Sequence, residues 1–553
     1  MRYASHLFVL GSTLALTLGC GGGDTSSSGG GGSSSTTSSS STSSGGGGAG
    51  GASECPTDVT PSPGVVVTSR GPVSGSQVGS TWAFKGIPYA APPVGDLRWA
   101  RPTEHACWDK TLPTTDYGAK CTQVSNGAVI GQEDCLFLNV WTPEDATADK
   151  PVPVLFFIHG GGNEQGASNV DVSGTFLYDG QALSEAGHVA VVTINYRLGP
   201  FGWLAHPAFA EGSPAVSGNY GAHDQVFALE WVKQNIAAFG GDPSKVMIFG
   251  ESAGGLNVVS LVASPLGKGL FSSALVESGG AAAQTKEVAE SFAMDWASQA
   301  GCDKDPSPAQ CMRAMKTEDV EMLVYAPIDL AGKQGPFQPI IDGYFLTQHP
   351  FDALSGDAHN HVPVVMGNNQ DETGAAVPAM TEAEYETAVN TLFGALGPQV
   401  LAQYPAANYS APRVAYVALT SDAKFVCPTR RTLRALAKSQ SEPVYRYHFT
   451  HVLDNVGAAQ KAKGSFHGLE LFFVFHTLGV AGYQASAGEK GLSDAMQGYW
   501  SRFGAAGDPN GGSAVSWPVF DADKDSYLEL ENTISAKEGV HSASCDFWDS
   551  LLP

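Results

Sequence analysis

Short apolar runs alternate along the chain with longer stretches whose apolar residues recur at helical spacing. Residues 152–158, 189–195, 246–249 and 362–366 form apolar runs bounded by glycine, which indicates buried parallel strands. Residues 224–239, 256–263 and 492–503 have the pattern of helices. This alternation predicts a mostly parallel α/β sheet with helices on both faces. In such sheets chemistry collects beyond the carboxyl ends of the strands.

The N-terminus has the pattern of an export signal. Arg2 precedes an apolar stretch over residues 7–18, which ends in Thr17-Leu18-Gly19-Cys20 and is too short to span a membrane. Residues 1–19 resemble a bacterial lipoprotein signal peptide, which implies cleavage before Cys20 and acylation of that residue. The alternative is an ordinary secretory signal with a chance cysteine.

Residues 20–54 are almost wholly Gly, Ser and Thr, so they bury no apolar surface and predict a flexible tether. A coil of this length spans roughly 30 Å, enough to hold a domain clear of a bilayer. From Cys55 the composition becomes ordinary and no repeat or linker divides it. We therefore expect one globular domain over residues 55–553.

Composition and charge narrow the possible partners. The 553 residues are 42% hydrophobic, which excludes wholesale disorder. The net charge of −24 has the wrong sign for binding nucleic acid or anionic lipid, and no run in the sequence is long enough for a multi-pass membrane protein. Nine cysteines occur without a CxxC pair, and setting Cys20 apart leaves an even eight, as expected in an oxidising compartment.

A serine nucleophile is predicted where the run 246–249 enters Gly250-Glu251-Ser252-Ala253-Gly254-Gly255 and then a helical pattern. About one G-x-S-x-G is expected by chance in so glycine-rich a chain, so the strand and helix around Ser252 carry the prediction. His159-Gly160-Gly161-Gly162 follows another predicted strand. The amides of Gly161, Gly162 and Ala253 would form an oxyanion hole. The alternative for the Ser252 motif is a structural turn with an idle serine. The alternative for residues 159–162 is a glycine-rich strand end without a binding role.

Four longer segments carry a family resemblance: residues 84–90, 133–140, 195–202 and 239–255. In this order, and within a match over about residues 65–548, they resemble the type B carboxylesterases, relatives of the cholinesterases. The resemblance implies the α/β-hydrolase fold. It also implies Glu372 as the catalytic acid, with Asp371 as runner-up, and His467 as the base.

The resemblance implies ester hydrolysis by a Ser252-His467-Glu372 triad through an acyl-enzyme, without metal or cofactor. Glu251 directly precedes the nucleophile. Its role is either electrostatic, as a group that supports the catalytic residues, or purely structural. The loop between Cys121 and Cys135 lacks the cholinesterase tryptophan, and Lys333 and Gly335 replace bulky aromatics of the acyl pocket. Small to medium uncharged esters are therefore expected. A lipase or polyester hydrolase is the alternative, and a non-catalytic adhesion protein a further one.

The resemblance also implies disulfides Cys121–Cys135, Cys302–Cys311 and Cys427–Cys545, which leaves Cys55 and Cys107 to pair by elimination. It implies structural ion pairs Arg98–Glu133 and Arg197–Asp224. The segment His359-Asn360-His361 lacks carboxylate or cysteine company at ligand spacing, so no metal is expected.

Gly21 after the acylated cysteine suggests sorting to the outer membrane or cell surface; a secreted or periplasmic protein is the alternative. The only expected membrane contact is the lipid anchor.

Overall fold

A mixed sheet of eleven strands forms the centre of the computed structural model, which describes residues 55, 62–323, 327–332 and 335–551. The strands between Ala190–Ile194 and Ser526–Leu530 in the sheet are parallel, and the strands at both edges are antiparallel. In spatial order the strands are Ser535–Glu538, Ser526–Leu530, Val444–Phe449, Val364–Asn369, Ser273–Glu277, Gly241–Glu251, Val152–Ile158, Ala190–Ile194, Phe137–Pro143, Thr81–Pro88 and Ser76–Val78.

Smaller strands and α-helices surround this sheet in the part of the chain that the structure describes. The further strands are Val65–Thr68, Gly71–Ser74, Leu112–Pro113, Gln123–Ser125, Ala128–Ile130, Asp171–Val172, Thr175–Phe176, Gln284–Thr285 and Ile340–Ile341. The α-helices are Gln181–Gly187, Gly199–Trp203, Tyr220–Asn235, Ala253–Ala263, Lys286–Gln299, Pro308–Arg313, Thr317–Met322, Pro350–Ser355, Glu382–Phe393, Gly397–Gln403, Pro412–Ser421, Cys427–Ser439, Ala458–Lys461, Leu471–Val474, Ala487–Ala506 and Ser542–Ser550.

The central strands are apolar on both faces because helices cover both. In Val152–Ile158, side chains alternate between the two faces: Phe156 packs into one apolar cluster and Phe157 into another. The helices Tyr220–Asn235 and Ala253–Ala263 contribute to the first cluster, and Ala487–Ala506 contributes to the second. The expected α/β architecture is confirmed.

Element boundaries differ from the sequence pattern where capping or strand pairing extends the element. The helix predicted over 492–503 runs from Ala487 to Ala506, because a capping box starts it and left-handed Gly507 ends it. The strand predicted over 246–249 extends to Gly241–Glu251 because both ends find partners on the neighbouring strands. Its final residue, Glu251, therefore belongs to the sheet.

A π-helix interrupts the helical segment that lies behind the site. Asp422–Val426 has this conformation and connects Pro412–Ser421 to Cys427–Ser439. Such insertions displace the following side chains around the helix and occur often at functional sites.

Four disulfide bonds join Cys55 to Cys107, Cys121 to Cys135, Cys302 to Cys311, and Cys427 to Cys545. They indicate an oxidising compartment and hence an exported protein. No helix in the described part of the chain is long and apolar enough to cross a membrane. The predicted signal peptide, Cys20 and the tether lie outside the described residues, as does Lys333.

Candidate active site

Ser252 lies at a sharp turn between the strand Gly241–Glu251 and the helix Ala253–Ala263. Its backbone is strained, with φ of 59° and ψ of −122°, in a region that residues with a side chain rarely adopt. Neighbouring glycines allow the turn to pack against the next strand. A Cβ on Gly250 would lie 2.6 Å from the carbonyl oxygen of Ile158, and one on Gly254 would collide with the same oxygen. This is the strand, turn and helix geometry of a nucleophile elbow.

The glycine-rich loop after Ile158 presents backbone amides beside this turn. Gly161 and Gly162 have positive φ values of 101° and 67°, so only glycine adopts this path without strain. No acceptor among the described residues takes a hydrogen bond from either amide. Ala253 is the first residue of its helix, where the N–H has no intrahelical partner. Gly160 lies against Ser252, since a Cβ there would be 3.0 Å from the serine Cβ. The three amides can therefore bind an oxyanion.

Glu372 and His467 form a tightly held pair. The Oε2 atom of Glu372 lies 2.6 Å from His467 Nδ1. Its Oε1 atom accepts hydrogen bonds from the Ser278 hydroxyl at 2.6 Å and the Asn369 N–H at 2.9 Å. Glu372 is fully buried, so its orientation is fixed by these partners.

Asp371, the runner-up for the acid, points elsewhere. Its Oδ2 atom accepts a hydrogen bond from the Ser465 N–H at 3.1 Å and makes no hydrogen bond with His467. Burial raises the pKa of Asp371, and the Ser465 N–H opposes that shift. The geometry therefore pairs the histidine with Glu372.

The other ring nitrogen of His467 faces Glu251. Its Nε2 atom lies 3.0 Å from Glu251 Oε1 and makes no hydrogen bond to the Ser252 hydroxyl in this structure. Because Glu251 directly precedes Ser252, this contact holds the ring beside the nucleophile. Burial lowers the pKa of His467, but the carboxylates of Glu251 and Glu372 outweigh burial and raise it to about 9.

Two buried carboxylates that sequence reasoning missed complete the surroundings. Glu277 pairs in register with Glu251 on the adjacent strand, and the Trp500 indole donates to its Oε1 at 3.0 Å. Glu470 accepts a hydrogen bond from the Asn369 amide. The sequence contained a signal for each of them. Glu277 is a charged residue at the end of an apolar run, and Glu470 follows His467 by three residues.

Burial sets the protonation of this cluster. It raises the pKa of Glu251 to about 7, although His467 opposes the shift, and that of Glu277 to about 8 with help from Glu251. Burial, followed by the charges of Glu251, Glu277 and Glu372, raises the pKa of Glu470 well above its usual range. The site can therefore hold protons behind the histidine at neutral pH.

The π-helix supplies one wall of the histidine. The Phe425 ring lies 5.1 Å from the His467 ring, measured between centroids. Phe425 itself is buried. Sequence periodicity gave no sign of this contact because it depends on the extra residue in the helical turn.

Two histidine-containing groups among the described residues could be considered as metal ligands, and both contact protein partners. His359 bonds to the Ala353 carbonyl at 3.1 Å and the Gln440 side chain at 3.0 Å. A second group, His451, Asp454 and Glu489, brings ligand-type atoms together within 4.8 Å. Glu489 there caps the helix Ala487–Ala506, with its oxygens accepting from the N–H groups of Asp454 and Ser486. This group therefore has a structural explanation.

Comparison with known proteins identifies the family. The model of the carboxylesterase family matches residues 62–548. The chain belongs to the carboxylesterase family. It is a carboxylic ester hydrolase with the α/β-hydrolase fold expected from its motifs.

Individual carboxylesterases match over most of their length. Carboxylesterase 1D of Rattus norvegicus is 34% identical, over 89% of this chain and 93% of that protein. Para-nitrobenzyl esterase of Bacillus subtilis (strain 168) is also 34% identical, over 86% of this chain and 97% of that protein. A solved structure of a PNB esterase superposes with a TM-score of 0.76 at 32% identity, covering 88% of this chain and 100% of the other.

Proposed function

We propose that this carboxylesterase hydrolyses small to medium uncharged esters through an acyl-enzyme formed on Ser252. His467 takes the serine proton as the hydroxyl attacks the ester carbonyl, then returns it to the leaving alcohol. Glu372 fixes the imidazole through Nδ1 and stabilises the imidazolium. Water then attacks the acyl-enzyme, with His467 again as base, and releases the acid. The observation that carries the proposal is the strained Ser252 turn together with the contact between His467 and the buried Glu372.

The amides of Gly161, Gly162 and Ala253 stabilise the tetrahedral oxyanion in this proposal. Their open hydrogen-bonding capacity supports it, because preorganised donors need no rearrangement when charge develops. Glu251 lies 3.0 Å from His467 Nε2 and keeps that nitrogen next to the residue that precedes the serine, while Glu372 retains its contact with Nδ1. This gives Glu251 a positioning role.

Replacing the nucleophile tests the proposal. Ser252→Ala removes the attacking oxygen, so kcat for a small aryl ester falls by on the order of 10⁶, as for other triad nucleophiles. An organophosphonate labels wild type and leaves the variant unlabelled. Ser441→Ala, at an exposed position, is the matched control and keeps both properties. Hydrolysis by Ser252→Ala at near wild-type rate, with labelling intact, contradicts the proposal.

For the whole chain, we propose a signal peptide over residues 1–19, acylated Cys20, a tether over 20–54 and the catalytic domain over 55–553. The apolar stretch ending at Cys20 and the Gly/Ser/Thr segment after it support this arrangement. Cys20→Ser then prevents palmitate incorporation and moves the protein to the soluble fraction, while esterase activity per molecule stays the same. Wild-type protein that is unlipidated and soluble contradicts the anchor.

A further inference from the structure

Glu164 brings a carboxylate to the loop that carries the oxyanion amides. It follows Gly162 by two residues, and its N–H donates to the Gly161 carbonyl at 3.0 Å. Two residues of backbone place its Cα within about 7 Å of that of Gly162. The side chain extends toward Gly335, where a Cβ would lie 2.6 Å from Glu164 Oε1. The carboxylate therefore occupies the space that a side chain at position 335 would take.

This carboxylate has no partner among the described residues. No cationic group, hydroxyl or N–H there lies within hydrogen-bond distance of its oxygens. Burial raises the pKa of Glu164 to about 7. The charge of Glu164 acts on another carboxylic acid, the buried Glu321, whose pKa is raised to about 8 mainly by burial. A partly buried carboxylate keeps only part of its hydration, so a ligand that brings a donor to it gains binding energy.

The strand order puts the loop of Glu164 and the loop of His467 on opposite sides of the nucleophile strand. The loop of His467 follows the strand Val444–Phe449 on one side, and the loop carrying Glu164 follows the strand Val152–Ile158 on the other. The leaving alcohol must face His467. The side of the nucleophile strand that carries Glu164 is then left for the carbonyl oxygen and the acyl group.

We propose that Glu164 is a specificity-determining residue, which selects uncharged esters whose acyl group carries a hydroxyl a few bonds from the carbonyl. This inference rests on the proposed function, because it assumes that Ser252 attacks the ester carbonyl. The substrate hydroxyl donates to the Glu164 carboxylate in both the bound ester and the transition state. An alkyl acyl group of the same size leaves that carboxylate desolvated and unpaired, and this lowers kcat/KM for the alkyl ester.

Three ethyl esters test the assignment: the butyrate, the β-hydroxybutyrate and the β-methoxybutyrate. The methoxy compound keeps the oxygen but removes the donor. Wild type is expected to prefer the hydroxy ester over both others by about 10- to 100-fold in kcat/KM, the range for a hydrogen bond to a charged acceptor. In Glu164→Leu this preference falls to near unity, and Glu164→Gln, which retains an acceptor oxygen, restores part of it.

A further variant serves as the control. Glu386→Leu removes an exposed carboxylate outside the site and keeps the hydroxy preference. Circular dichroism and thermal melts establish that each variant is folded.

The outcomes separate this inference from the proposed function. Equal kcat/KM for the three esters in wild type overturns the inference but leaves serine esterase activity standing. A preference that survives in Glu164→Leu, or is lost in Glu386→Leu, overturns the assignment to Glu164. If wild type instead prefers a hydroxyl on the alcohol, measured with hydroxypropyl butyrate, the assignment of Glu164 to the acyl group is wrong. If Ser252→Ala retains activity on all three esters, the proposed function fails.

Discussion

His467 lies between two carboxylates, and this decides the charge of the ring. Glu372 contacts Nδ1 and Glu251 contacts Nε2, at 2.6 Å and 3.0 Å. Both stabilise the imidazolium, which a general base must avoid in its resting state. The pair of contacts therefore couples catalytic rate to pH, and the coupling depends on Glu251 as much as on the triad acid.

We expect Glu251→Gln to shift the pH profile. His467 acts as a base only when neutral, so kcat/KM rises with pH through the His467 pKa, which the carboxylates raise to about 9. Removing the charge of Glu251 lowers that pKa, and the rising limb of the profile moves to lower pH. Glu386→Gln, at an exposed position, leaves the limb in place. An unmoved limb in Glu251→Gln would show that this carboxylate does not control the histidine.

Glu372→Gln is expected to lower kcat by several orders of magnitude, because it removes the charge that stabilises the His467 imidazolium. Asp371→Asn lowers kcat far less, since Asp371 bonds to the Ser465 amide and not to the histidine. Steady-state kinetics on one aryl ester at the pH optimum of each variant checks the ranking. The reverse order would transfer the acid to Asp371.

At the scale of elements, a buried ion pair connects the loop after one strand to the helix that covers the sheet. Arg197 follows the strand Ala190–Ile194, and its Nε and Nη2 atoms donate to the two oxygens of Asp224 at 2.8 Å and 2.7 Å. Asp224 lies in the helix Tyr220–Asn235, and both side chains are buried. The Arg197 guanidinium also lies over the Tyr220 ring. The pair fixes where this helix begins relative to the sheet.

Asp224→Asn should destabilise the fold by about 3–5 kcal/mol, because it leaves the Arg197 charge buried without its counter-ion. The midpoint of denaturant unfolding measures the loss. The comparison variant is Glu290→Gln, which breaks the partly exposed pair with Lys286 and changes stability by at most about 0.5 kcal/mol. Equal effects of the two variants would mean that burial does not determine how much the Arg197–Asp224 pair contributes to the free energy of unfolding.

At the scale of the whole molecule, the C-terminal helix is tied to the elements behind the site. Cys545 in Ser542–Ser550 bonds to Cys427, the first residue of the helix that follows the π-helix. The π-helix in turn places Phe425 against His467. The covalent bond therefore fixes the chain end to the segment that forms one wall of the histidine.

Removing this bond with Cys427→Ala/Cys545→Ala should lower the free energy of unfolding by on the order of 4–5 kcal/mol, since it closes a loop with a sequence separation of 118. Cys302→Ala/Cys311→Ala opens a separation of only 9 and should lose about half as much. Denaturant melts of both double variants against wild type measure the difference. A larger loss from the short loop would contradict the chain-entropy explanation.

Features that depend on neighbouring residues could be predicted from the sequence. Two-sided burial appears directly as an apolar run, so residues 152–158 were predicted with the bounds that the strand has. The nucleophile motif was recognisable because strand, turn and helix are consecutive around Ser252. The long family segments also determined the fold and the enzyme class, since they are contiguous and occur in a fixed order.

Which distant side chains meet depends on tertiary packing. The register of two strands placed Glu277 beside Glu251, and an irregular helical turn placed Phe425 on His467. The approach of Glu164 to Gly335 depends on how two loops pack against each other. Such contacts follow from strand register, helix phase and loop path together, which no local pattern of residues specifies.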